Sequence, residues 1–140
     1  MIGSKSTIAL ILVSVLALAG CRVQPLENIN DAPYGASPAT APVQLTMEDY
    51  EKAIIRAGTR RNWVFERIDT GHLVGTVDVR GKHTAVVDVK FTNTNFSITY
   101  KSSKNLNHDA SRGEIHPNYN HWVRNLRKDI QAEVQLAQAS

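Results

Sequence analysis

The sequence has a single cysteine, Cys21, among 140 residues. No intrachain disulfide can form, so any folded part must be held by its apolar core alone. Aromatic residues are sparse, at 6%. Neither sign of charge dominates. Sixteen basic residues stand against 13 acidic ones, and one of the basic residues, Lys5, lies in a leader-like segment. A surface so evenly balanced gives no reason to expect nucleic acid or anionic lipid as a partner. The apolar run Ile8 to Gly20 is about 13 residues long, short of the roughly 20 that span a bilayer as a helix. Motifs of chemistry are also missing. There is no Gly-x-Ser-x-Gly, no His-Glu-x-x-His and no phosphate-cradling glycine loop, so no nucleophile, zinc site or nucleotide site announces itself.

What is present begins with export. Lys5 and the amino terminus form a short positive region, and Ile8 to Gly20 suits the hydrophobic core of a signal peptide. That run closes on Leu18-Ala19-Gly20-Cys21. The tetrapeptide resembles the lipobox of bacterial lipoproteins at all four positions. The resemblance implies diacylglyceryl on the Cys21 sulfur, cleavage between Gly20 and Cys21, and acylation of the new amino terminus. A single acyl chain anchors only reversibly, whereas two or three chains on one cysteine anchor stably. Residue 22 is Arg rather than Asp. In bacteria resembling the enteric ones, that implies the outer membrane, with the protein facing the periplasm.

The chain then divides into three parts: a signal peptide over 1–20, the lipidated cysteine with a flexible linker over 21–45, and a globular domain over 46–140. Pro25, Pro33, Pro38 and Pro42, with Gly35 between them, break any helical or strand period in the linker. A coil of that length spans about 25–30 Å, and polyproline II reaches about 75 Å.

Within 46–140, Thr46 and Asp49 form a helix-capping pair. Met47, Tyr50, Ile54 and Ala57 follow as an apolar stripe. Four strands are predicted near 63–69, 72–80, 83–92 and 95–101, with turns at 70–71, 80–82 and 93–94. Leu73, Val77, Ala85, Val87, Val89, Phe91, Phe96 and Ile98 share one face only if the second turn holds an odd number of residues, since a one-residue slip inverts a strand. Pro117 opens a last helix, striped by Tyr119, Trp122, Val123, Leu126, Ile130 and Val134. The expected fold is α+β: a four-stranded antiparallel meander with an N-terminal and a C-terminal helix packed on one face. The stretch Ile115 to Trp122 resembles segments of small, functionally uncharacterised envelope lipoproteins.

Two regions are candidates for function. His108, His116 and His121, with Asp109 and Glu114, offer ligand-type side chains. The five-residue interval between His116 and His121 suits two ligands on one helix poorly, and the alternative is that His116 and the neighbouring asparagines cap the helix. The other candidate is the sheet face turned away from the helices, which carries Val74 and Val86. With a two-residue turn at Thr70-Gly71, Trp63 and Phe65 join that face; the opposite register buries both. An exposed apolar patch of this kind marks a partner surface. The expectation is a membrane-anchored, non-enzymatic interaction or structural module with an envelope protein as partner, without catalytic residues, metal or cofactor. The alternative is a small periplasmic metal- or ligand-binding protein or enzyme built on the three histidines.

Overall fold

The computed structural model describes Gly3, residues 22–36 and residues 43–140. Apart from Gly3, the expected signal peptide lies outside these residues, as do the Gly20–Cys21 junction and linker positions 37–42. Among the described residues no helix is long and apolar enough to cross a membrane.

Nine elements follow one another: β1 (Gln24–Pro25), β2 (Ile29–Pro33), α1 (Met47–Thr59), β3 (Trp63–Asp69), β4 (His72–Val79), β5 (His83–Phe91), β6 (Asn95–Lys104), β7 (Glu114–Ile115) and α2 (Pro117–Gln138). The main sheet is antiparallel and five-stranded, in the order β2-β6-β5-β4-β3, and β1 pairs separately with β7. The class is α+β as expected, and β3 to β6 form the expected meander. The strand count is five rather than four.

The additional strand comes from the segment read as linker. Ile29 pairs with Ile98, Ala32 with Phe96 and Pro33 with Asn95. Ile29, Ala32 and Tyr34 are buried, and Tyr34 stacks on Tyr50 and Phe96. Its hydroxyl donates to the Thr92 carbonyl at 2.7 Å. Burying a large apolar side chain such as Ile29 contributes about 1.5–3 kcal/mol, which helps hold an edge strand that local propensity disfavours. Proline is tolerated there because an edge strand has one unpaired side.

Local chemistry sets the other elements. Thr46 caps α1: its Oγ1 accepts the Asp49 N–H at 3.2 Å, and its own N–H donates to Asp49 Oδ2 at 2.8 Å. Asp49 is held below the usual carboxylate range by the Thr46 backbone and hydroxyl. The 80–82 loop has three residues, with Val79 opposite His83. Arg80 and Gly81 both take positive φ there. This keeps Leu73, Val77, Ala85, Val87 and Val89 on one buried face.

Both helices cover that face. Tyr50, Ala53, Ile54 and Ala57 of α1 meet Tyr119, Val123, Leu126, Ile130 and Val134 of α2 in a single core. Trp122 is only half-buried. Glu133 of α2 is 4% exposed and is satisfied by Arg56 and Arg60 of α1. The two edges of the sheet differ. On β2 the Pro33 carbonyl accepts from Gln131 at 2.8 Å, and the following Tyr34 carbonyl accepts from Gln135 at 3.0 Å. On the other side, β3 has β4 as its one strand neighbour among the described residues.

Candidate interaction surface

The open side of the sheet is a ladder of cross-strand rows. Its central row reads Val64, Thr76, Val86 and Ser102 from β3 to β6. The next row reads Glu66, Val74, Asp88 and Thr99. Val64 is 72% exposed and Ile68 51%, while Val74 and Val86 are half-buried among their threonine neighbours. The result is a mixed face, on which Val64, Val74 and Val86 are separated across the strands by Thr76, Glu66 and Asp88.

Trp63 and Phe65 do not belong to it. The Thr70-Gly71 turn does have two residues, since Asp69 pairs with His72. A bulge between Arg67 and Asp69 then shifts the register by one, so that Arg67 faces Leu73 and Phe65 faces Gly75. One extra residue inverts everything before it. Trp63 is therefore buried at 2% exposure, and Phe65 turns toward the helices. Its ring occupies the space that two missing side chains leave: a methyl on Gly75 would sit 2.8 Å from it, and one on Gly58 of α1 would collide with it. Val64 and Ile68 take the outward positions instead. Of the expected surface, Val74 and Val86 remain on the open face.

Asp78 and Asp88 also lie on that face and are apart, opposite Thr84 and Val74. The partner of Asp88 is His72, whose Nε2 lies 2.7 Å from Oδ1, with Lys101 at 3.8 Å. Beside His72 a cavity of about 530 Å³ opens between the ends of β2, β4, β5 and β6, lined by Asp31, Asp69, Lys90, Ser97 and Thr99 among others. The sequence held no sign of this cavity, because Asp31 comes from the segment read as linker.

The three candidate histidines have separate tasks. His108 packs against the Tyr100 ring at a tilt, and its Nδ1 lies 3.0 Å from the tyrosine hydroxyl. His116 caps α2, its Nδ1 accepting the Asn118 N–H at 3.1 Å. His121 is exposed on the first turns of α2. Among the described residues no three His, Cys, Asp or Glu side chains converge as a metal site would require. Asn120 does not cap the helix either. It is fully buried and binds the N-terminal segment, its Nδ2 donating to the Pro25 carbonyl at 2.9 Å.

Comparison with protein-family models, with curated proteins and with solved structures finds no match for this chain.

Proposed function

We propose that this chain is a lipid-anchored envelope protein, attached through Cys21 to the periplasmic face of the outer membrane, and that its domain is a non-enzymatic interaction module. The anchor rests on the Leu18-Ala19-Gly20-Cys21 junction after an apolar run of signal-peptide length. The contact surface is the open sheet face next to β3. One observation carries it: Val64 and Ile68 are exposed, and Val64 shares the open face of the sheet with Val74 and Val86. Apolar side chains set among polar ones are the make-up of a non-obligate protein interface.

The test has two arms. Mass spectrometry of the membrane fraction should find an acylated peptide beginning at Cys21, and Cys21→Ser should abolish it. A photo-crosslinking residue at position 64 should capture an envelope protein in intact cells, and one at exposed position 132 on α2 should not. Val86→Asp should suppress the capture. Equal capture from both positions would remove the sheet face as the contact. A small polar ligand in the cavity beside His72 is the second reading, favoured by its mixed lining of carboxylates, lysine and hydroxyls.

A further inference from the structure

Three exposed cations without ion-pair partners among the described residues gather at one end of the sheet. There the β4–β5 turn carries Arg80 and Lys82, and β6 ends on Lys104. The following loop carries Arg112. All four are exposed, and none of Arg80, Lys82 and Lys104 takes part in an ion pair among the described residues. The carboxylates near these four are Asp78, Asp109 and Glu114, and the neighbouring Arg60 and Arg61 are paired with Glu133 and Asp129. Asp109 is occupied by Ser111 and the Arg112 backbone. The opposite end, where α1 begins and the β3–β4 turn lies, carries Glu48, Asp49, Glu51, Asp69 and Asp31, set against Lys52, Arg67 and Lys90.

The basic end is also where the chain enters the fold. Gln24 pairs with Ile115 and Pro25 with Glu114, and the Leu26 N–H donates to the Gly113 carbonyl at 2.8 Å. The basic loops are fastened to one another. Asn105 Nδ2 donates to the Lys82 carbonyl at 2.6 Å, and His83 Nδ1 lies 2.8 Å from the Asn105 carbonyl. Only Arg22 and Val23 separate Cys21 from β1. Three residue steps reach at most about 11 Å, so a lipid on Cys21 leaves this end no room to stand away from the bilayer.

We propose that the end formed by the β4–β5 turn and the 105–113 loop lies directly against an anionic membrane surface, holding the domain upright with its acidic end outward. This inference rests on the anchored reading. Each Lys or Arg left without a neighbouring carboxylate strengthens contact with a negatively charged bilayer about fivefold, and salt at half-molar levels screens it. The open sheet face would then stand roughly perpendicular to the membrane, accessible from the side.

The test uses the full lipidated chain in vesicles of phosphatidylglycerol and phosphatidylethanolamine with an energy acceptor on the headgroups. The donor dye is placed at Ala110→Cys or at Asn93→Cys. The nine residues of β5 separate these ends by roughly 30 Å. Transfer from position 110 is expected to be at least threefold that from 93. The difference should shrink in phosphatidylcholine vesicles, in high salt, and in the variant combining Arg80→Glu, Lys82→Glu and Lys104→Glu, which should remain vesicle-bound through its lipid. A chain that floats with the vesicles but transfers equally from both positions overturns the orientation alone. A chain that does not float with them overturns the anchored reading and the orientation together.

Discussion

The side chain of Asn120 holds the backbone of Glu27, its Oδ1 accepting the amide N–H at 3.0 Å. With the bond from its Nδ2 to the Pro25 carbonyl, one buried amide from α2 ties down the segment between β1 and β2. Asn120→Ala leaves that N–H and carbonyl without partners. The expected cost is about 1–3 kcal/mol. Hydrogen exchange should rise over residues 24–33 and stay unchanged in β4 and β5. Equal protection of residues 24–33 in both proteins would show that this amide does not hold the segment.

Gly58→Ala should destabilise the domain. Near a helix end elsewhere the change usually helps, since glycine is about 1 kcal/mol poorer than alanine in a helix. Here the new methyl meets the Phe65 ring, and overpacking of this kind costs about 1–3 kcal/mol. The two sites are coupled, so Gly58→Ala combined with Phe65→Leu should cost less than the two single changes added together. Denaturant midpoints decide the matter, and strict additivity would argue against the contact.

Acid should loosen the N-terminal segment. The hydrogen-bonded Arg124 guanidinium holds the Glu27 carboxyl below the usual carboxylate range. A carboxyl with a depressed folded value stabilises the fold fully above its unfolded value of about 4.3, and that contribution is lost as pH falls through the lower folded value. Asp49 behaves in the same direction through Thr46. The melting temperature of the wild type should therefore fall more steeply between neutral pH and pH 3 than that of Glu27→Gln or Asp49→Asn. Parallel curves would remove these carboxylates from the acid response.

Tyr119 and Tyr100 should respond oppositely to loss of their hydroxyls. Tyr119 is fully buried, burial raises the pKa of its phenol, and its oxygen meets no partner among the described residues. Tyr119→Phe should be neutral or stabilising by up to about 1 kcal/mol, whereas Tyr100→Phe should cost about 0.5–1.5 kcal/mol. The Tyr100 hydroxyl lies 2.9 Å from Ser103 Oγ and 3.0 Å from His108 Nδ1. Thermal unfolding of both variants checks the contrast.

The elements that were legible in the sequence are those whose signal is local. Thr46 with Asp49, the alternation of β4 to β6, the odd 80–82 loop and Pro117 at the start of α2 all specify their structure within a few residues. What was hidden depends on partners far along the chain. Ile29, Ala32 and Tyr34 lack a strand's strict alternation because a register shift between Ile29 and Ala32 interrupts it, with Asp31 at φ 48°. Pro25 and Pro33 made the same segment read as linker. The face of β3 could not be read from its turn, because a bulge five residues beyond Trp63 reverses it. Phe65 did leave a clue in the glycines at 58 and 75, but their joint meaning appears only once α1 and β4 are seen on either side of the ring.

The unequal treatment of the two sheet edges limits what the molecule can assemble into. An antiparallel sheet with two bare margins can add strands without end, whereas here glutamines from α2 occupy the Pro33 and Tyr34 carbonyls at one end of the β2 margin, and Pro33 has no amide to offer a newcomer. Among the described residues, β3 is the more open margin. Two copies meeting margin to margin through β3 would form a closed twofold pair and stop, and a single foreign strand added there would likewise be the last. A domain with one open margin ends a chain of strands where one with two would extend it.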